Sequence, residues 1–447
     1  MKKTKILIAL LLAFVMAFSI VVLAACGDGD GGKKGKAIKL LMWAPSGAQT
    51  FYKEWADKWA NGYTDANGVK HEGYRDADGN RYEVRMGIWA EKDVSDPLMN
   101  SPTDAADVFC FVDDQVEKLV QNNVLADLGT GSLAQGVKER DSAAAIESAT
   151  YNGKLMAFPM QADNTFFLFY NSEILTEQDV ANWDSLFAAV EKYNDDHKLS
   201  GDDRIKVQWN YGDTWYQASW FFSFGGTIDS TGTNFHTKDV GYKALQAAYE
   251  FSSHKDFISL DSNDQLTGGL NDGSVAAGVS GTWIYSDDLK DKIDEGTIKL
   301  AALPMIKLSD EETYRPMKNF MSCKLMGVNA QGEYVIPSLQ LANFLTSYEV
   351  QLAKALELGA GPSNNEAIAN EAVKSLPTVK AVAEQSKNGV AQARVPSTIF
   401  SSINICIDAV DGSVVASKQY FDASGHCIAE KVDPLLQNMY AALFPQQ

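Results

Sequence analysis

Residue types able to do covalent chemistry are present in this chain, but not at spacings that would let them. The nearest approach to the nucleophile elbow G-x-S-x-G is Gly278-Val279-Ser280-Gly281-Thr282, with threonine where the closing glycine must stand. There is no H-E-x-x-H, no G-x-x-x-x-G-K-[ST], and no G-x-G-x-x-G after the first expected strand at 38–43. Five His and no C-x-x-C pair argue against a metal site. A glycosidase pair could be drawn from 58 Asp and Glu, but abundance picks out no pair. What the chain does offer is flat aromatic surface. Trp215 and Tyr216 open a run of aromatics ending at Phe224, and Trp283 follows a Gly-Thr turn. Such groups hold a ligand without changing it. Ring faces cover apolar surface, and carboxylates and amides take charge-assisted hydrogen bonds.

These groups need a scaffold. At roughly 100–200 residues per domain, 447 residues make two or three compact units. With 39 Lys and Arg against 58 Asp and Glu, the net charge is −19, which builds no phosphate-tracking surface and argues against nucleic acid. Lys2, Lys3 and Lys5 precede an uncharged run from Ile6 to Ala25, ending Leu23-Ala24-Ala25-Cys26. A basic start, an apolar stretch and small residues at its end make an export signal over 1–25. The L-A-A-C ending resembles the bacterial lipobox, which implies cleavage before Cys26 and a diacylglyceryl group on its thiol. Two acyl chains anchor stably where one is marginal. Residues 26–36 then form a tether, Gly-rich and without an apolar side chain after the cysteine. The body is expected at the extracellular face of the cell membrane. Four cysteines remain, Cys110, Cys323, Cys406 and Cys427, and they allow three pairings.

Past the tether, short apolar runs alternate with helical periodicity. Strands are expected at 38–43, 82–89, 107–112, 154–159, 165–170 and 298–303. Helices are expected at 51–60, 115–122, 183–193, 337–346, 348–358, 377–384 and 401–410. The alternation implies α/β architecture, with doubly wound sheets of mostly parallel strands flanked by helices. Asp65-Ala-Asn-Gly68 and Asp76-Ala-Asp-Gly-Asn80 lack the spacing of a calcium loop and read as Asx-Gly turns.

Several blocks, in consistent order over residues 37–447, resemble the maltose/maltodextrin-type family of bacterial extracellular solute-binding proteins of ABC importers. They are Leu40-Leu-Met-Trp43, Ala106-Asp-Val-Phe-Cys-Phe-Val-Asp-Asp114, Tyr151-Asn-Gly-Lys-Leu-Met-Ala-Phe-Pro159, Trp220…Phe224-Gly-Gly226 and Gly278-Val-Ser-Gly-Thr-Trp283. The resemblance implies a two-lobe periplasmic-binding-protein fold joined by a three-segment hinge near 159–164, 319–326 and 359–362. Residues 37–162 with 326–360 would form the N-lobe, and 163–325 with 361–447 the C-lobe. It also implies a sugar held between closing lobes and passed to permease subunits, by a monomer without cofactor or catalytic residues.

A pyranose has one face of C–H bonds and an edge of hydroxyls, which suit rings and acids respectively. By the resemblance, Trp43, Phe111, Trp215 and Trp283 would stack on the sugar. Asp114, Asp163 and Asp213 would take its hydroxyls, with Gln161 and Asn164 assisting beside the crossing. Two features depart from the family pattern. Ser401-Ser-Ile-Asn404, beyond Arg394, stands where another stacking Trp is expected, and 61–80 looks like an insertion. A lipid-anchored glycoside hydrolase and a surface glycan adhesin remain the alternatives, with a peptide or amino-acid ligand as a further option.

Overall fold

A computed structural model describes residues 37–65, 67–229, 231–285, 287–393, 395–396 and 398–445, with only the backbone of 287 and 288. The leader 1–25, Cys26, the tether to residue 36, and Arg394 lie outside the described residues.

In chain order, Ile38–Ala44 is β1 and Gln49–Asn61 is α1. This helix buries Phe51, Tyr52, Trp55, Ala56, Trp59 and Ala60, which recur at helical spacing and so share one face. The short hairpin of β2 (Gly62–Thr64) and β3 (Lys70–Glu72) follows, built from the apparent insertion. Its turn is an Asx turn. Asp65 Oδ1 accepts from the backbone N–H of Asn67 and Val69, and Gly68 takes the left-handed φ of +81° that such a turn needs. Asp76 treats Asp78 and Asn80 in the same way. The segment is pinned to the body: Tyr74 stacks on Trp59 at 4.7 Å and the Tyr63 hydroxyl donates to Glu349 at 2.6 Å.

Tyr82–Ile88 (β4) and Val108–Val112 (β5) pair parallel to β1 on either side. The next elements are β6 (Phe158–Asn164), β7 (Phe167–Asn171), α2 (Trp183–Asp196), β8 (Lys206–Trp209) and α3 (Thr214–Ser223). Then come β9 (Phe257–Ser259), β10 (Val275–Ser280), β11 (Ile298–Ala301) and the ten-residue β12 (Asn319–Val328). Helices α4 (Val335–Leu345), α5 (Tyr348–Leu358) and α6 (Pro377–Ser386), strand β13 (Gly389–Ala391) and helix α7 (Asn404–Val410) complete the elements used below.

Two sheets form two lobes. The first runs β13-β12-β5-β1-β4 with β6 also on β12; the second runs β9-β8-β10-β7-β11. The first is mostly parallel, with three of its five pairings parallel, and the second is evenly split, two parallel and two antiparallel. The strands β6, β7 and β12, which lie nearest the crossings, pair antiparallel to β12, β10 and β5, because they enter their sheets from the other lobe.

The cores show where the chain crosses. Phe158 and Met160 belong to the first core and Phe166 to the second; Phe320 lies in the second and Cys323 in the first. Val350 on α5 is back in the first core, whereas Ala381 and Val382 on α6 pack under the second sheet. The three passages therefore fall at β6, at β12, and between α5 and α6. The four described cysteines carry free thiols, and burial pushes that of Cys110 up to about 12.

Candidate functional site

In open α/β sheets, loops at the carbonyl ends of parallel strands face the ligand crevice. Here those are the loops after β1, β4 and β5 in one lobe and after β8 and β10 in the other.

Trp43 lies near the end of β1, opposite Gly87 in the register with β4. Glycine is required there, because a Cβ on Gly87 would stand 2.6 Å from the Trp43 ring. The ring leans on Trp89 at 4.9 Å, and Trp89 is 37 % exposed, so this pair presents indole to solvent at the strand ends. Gly87→Ala is expected to displace Trp43 and cost about 1–3 kcal/mol of stability, read as a lower melting temperature with a shifted tryptophan emission.

Beyond Trp89, Glu91 pairs with Lys324 of β12 at 3.2 Å, and both side chains are nearly buried. Burial pulls the Lys324 ammonium down, but Glu91 and Asp163 hold it above the ordinary lysine range. The same ammonium lies 5.6 Å from the centre of the Trp283 ring. Lys92 reaches Asp213 of the other lobe at 3.9 Å.

The turn after β5 carries Asp113, Asp114 and Gln115. Asp113 accepts from the Cys323 N–H at 2.9 Å, and Gln115 Nε2 donates to the Glu91 carbonyl at 2.8 Å. Burial pushes Asp113 up to about 6. It pushes Asp114 up to about 7, with the neighbouring Asp113 charge adding to it. Asp114 Oδ1 and Gln115 Oε1 are buried acceptors with no donor among the described residues. Buried acceptors of this kind call for a donor.

Across the groove, Asp213 caps α3 by accepting the Trp215 N–H at 2.9 Å, which sets Trp215 in the first turn. Its ring meets Trp283 at 5.7 Å and Phe166 at 5.1 Å. Trp283 sits in the tight turn after β10, over Gly281, where a Cβ would stand 2.1 Å from its ring. Its indole N–H donates to Asn263 at 3.3 Å.

Trp43, Asp114, Asp213, Trp215 and Trp283 thus gather at the facing strand ends. Phe111 does not. It is 0 % exposed in the first core, 5.5 Å from Phe109, because β5 is buried on both faces. Asp163, Gln161 and Asn164 also differ from expectation, since protein groups already occupy them. Asp163 is fully buried and accepts from Gln161 Nε2 at 2.9 Å, the Thr282 hydroxyl at 3.0 Å and the Gly361 N–H at 2.5 Å. Gln161 Oε1 accepts from Lys354, which also donates to the Tyr52 hydroxyl at 2.8 Å; burial brings Lys354 down to about 8. Asn164 donates to Ser322 Oγ at 2.5 Å. These residues tie the three crossings together. Asn404, in the stretch without the expected Trp, accepts from the Thr214 hydroxyl at 2.8 Å.

Sequence reasoning passed over Trp89, Glu91, Lys92, Lys324 and Gln392. Trp89 carried a usable signal, an aromatic directly after a strand that pairs with β1. The others are brought in from distant segments by sheet order.

No curated relative matches the chain. Among solved structures, one determined with acarbose is 25 % identical, with a TM-score of 0.75, covering 91 % of this chain and 100 % of its own. The maltodextrin binding protein MalE1 from L. casei BL23 is 20 % identical (TM-score 0.68, 91 % and 100 % covered). The Thermus thermophilus maltotriose binding protein, bound with maltotriose, is 20 % identical (TM-score 0.68, 90 % and 98 %). The family model described as bacterial extracellular solute-binding protein matches residues 88–381. That span takes in the strand ends carrying Trp89, Asp114, Trp215 and Trp283, and by it the chain belongs to the bacterial extracellular solute-binding protein family.

Proposed function

We propose that this protein captures a maltodextrin-like oligosaccharide between its two lobes and hands it, unaltered, to the permease of an ABC importer. The observation that carries the reading is the groove itself. Indole pairs, Trp43 with Trp89 and Trp215 with Trp283, flank Asp114 Oδ1 and Gln115 Oε1, buried acceptors with no donor among the described residues. Rings suit the C–H face of a pyranose and empty acceptors suit its hydroxyls. The solved relatives named for acarbose, maltodextrin and maltotriose support the sugar class.

In this reading residues 37–162 with 326–360 close on 163–325 with 361–447. A ligand shifts that equilibrium only by its differential affinity for the two forms, and contacts from both lobes supply the difference. Micromolar binding needs about −8 kcal/mol, within reach of two stacked indoles and a few hydrogen bonds. Lipid on Cys26 would hold the body at the extracellular face. Tryptophan fluorescence titrated with mono- and oligosaccharides tests the sugar reading, and metabolic labelling with a fatty acid, lost in Cys26→Ser, tests the anchor. No response to any sugar would end the first.

The raised Asp114 carboxyl would also suit a general acid, which is the one feature favouring a hydrolase. Intact maltotriose recovered after prolonged incubation rejects that reading; released glucose supports it.

The same carboxyl makes a signed prediction. An unfolded Asp releases its proton near its ordinary value of about 3.9, whereas the folded Asp113 and Asp114 hold theirs to about 6 and about 7. The folded state therefore binds more protons between those values. Stability from this pair is full below the unfolded value and is lost as pH rises through the folded ones. Sugar hydroxyls donate to the ionised form, so affinity should run the other way and increase with pH. Calorimetry and titration at acid and mildly alkaline pH should show both trends; Asp114→Asn should flatten the affinity trend and shrink the stability trend to the part Asp113 carries.

A further inference from the structure

Gln392 follows β13, the three-residue strand paired to the start of β12, and its backbone N–H donates to the Met321 carbonyl at 3.1 Å. It is 3 % exposed. Its side-chain Oε1 accepts from the Trp215 indole N–H at 2.8 Å. Its amide also faces the Asp114 carboxylate and favours the ionised form of that group. One side chain, held by the backbone at β12, thus meets a ring of one lobe and an acid of the other. A buried amide has donors and an acceptor to satisfy; here the acceptor takes the Trp215 N–H, and the donor side lies toward Asp114. Asp213 reaches Trp215 only through the backbone N–H, and the charged groups acting on Asp114 are Asp113 and Lys118.

We infer that Gln392 is a positioning residue of the groove, fixing the Trp215 indole plane and the Asp114 carboxylate relative to each other. The stacking face and the hydroxyl acceptor are then set as a pair before a ligand arrives. This rests on the oligosaccharide reading above and deepens it, since it says how the two lobes' contacts are registered. An indole left free to turn would have to be ordered by the ligand, at a cost in affinity.

Two variants separate the contacts. Gln392→Leu keeps the bulk and removes both; Gln392→Glu keeps the acceptor for Trp215 and sets a carboxyl opposite Asp114. In the ligand-free chain, the Trp215 indole N–H resonance, identified by its loss in Trp215→Phe, should move in Gln392→Leu and stay nearly in place in Gln392→Glu. With maltotriose as probe, Gln392→Leu should bind about tenfold more weakly at every pH. Between about pH 5.5 and about pH 8.5 the parent should bind more tightly as pH rises, and Gln392→Glu less tightly. A proton bridges the two carboxyls at the acid end, and their charges repel at the other. An unmoved indole resonance in Gln392→Leu, or a Gln392→Glu profile parallel to the parent's, overturns the inference. If the parent binds no sugar, the oligosaccharide reading fails instead, and the ligand-free resonances decide Gln392 on their own.

Discussion

Trp283→Ala should weaken maltodextrin binding about a hundredfold, roughly 3 kcal/mol, in line with central aromatic anchors at interfaces. The expectation follows from where the ring is held. The turn after β10 narrows at Gly281 so that the indole lies directly over the backbone, with Trp215 at 5.7 Å beside it and the Lys324 ammonium at 5.6 Å. Deleting the ring removes one stacking face and loosens the second. Trp283 borders the second lobe's cores without being enclosed by them. Its loss should therefore cost only about 1–2 kcal/mol of stability, toward the low end for large-to-small changes. Trp283→Phe keeps a ring but drops the N–H bonded to Asn263, and should fall between the two in affinity. Trp183 provides the contrast: it is buried against Phe187, Trp209 and Phe251, so Trp183→Ala should unfold the lobe. An unchanged dissociation constant in Trp283→Ala, with the fold intact, would remove this ring from the site.

The contrast between those two tryptophans marks what a linear sequence can reveal. Periodicity placed the helices at 49–61 and 348–358 to within a residue or two, because one apolar face is enough to define them. Gly-flanked turns pointed to Trp283 for a local reason as well. Phe111 had no such local signal. Every residue of β5 is buried, so nothing in its alternation separates a ring turned to the core from one turned to the groove. Asp163 misled in another way. The family resemblance assigned its carboxylate to a sugar hydroxyl, yet a chain passing three times between lobes leaves backbone donors such as the Gly361 N–H to be satisfied. Trp89 and Glu91, Lys324, and Gln392 lie on three segments that the sheet order β13-β12-β5-β1-β4 brings into one sheet.

Lys324→Met should be the most damaging single change in the groove for stability, by about 3–5 kcal/mol, because it leaves the Glu91 carboxylate nearly buried without its cation. The pair is separated by 233 positions in the chain, and the lysine is on β12, the strand that passes from one core to the other. Its removal therefore strikes the loop after β4 and the crossing together. Glu91 cannot recover by turning to water, since Gln115 ties the backbone of the same residue at 2.8 Å. The second site decides whether lost charge or lost packing is responsible. Adding Glu91→Gln to Lys324→Met removes the stranded charge and should restore most of the melting temperature, whereas a packing defect at β12 would persist. The double variant should still bind sugar more weakly than the parent, because the Trp283 ring has lost the ammonium that faces it. If Lys324→Met alone melts with the parent, the ion pair contributes no net stability, and the groove edge is held by its indoles and backbone hydrogen bonds.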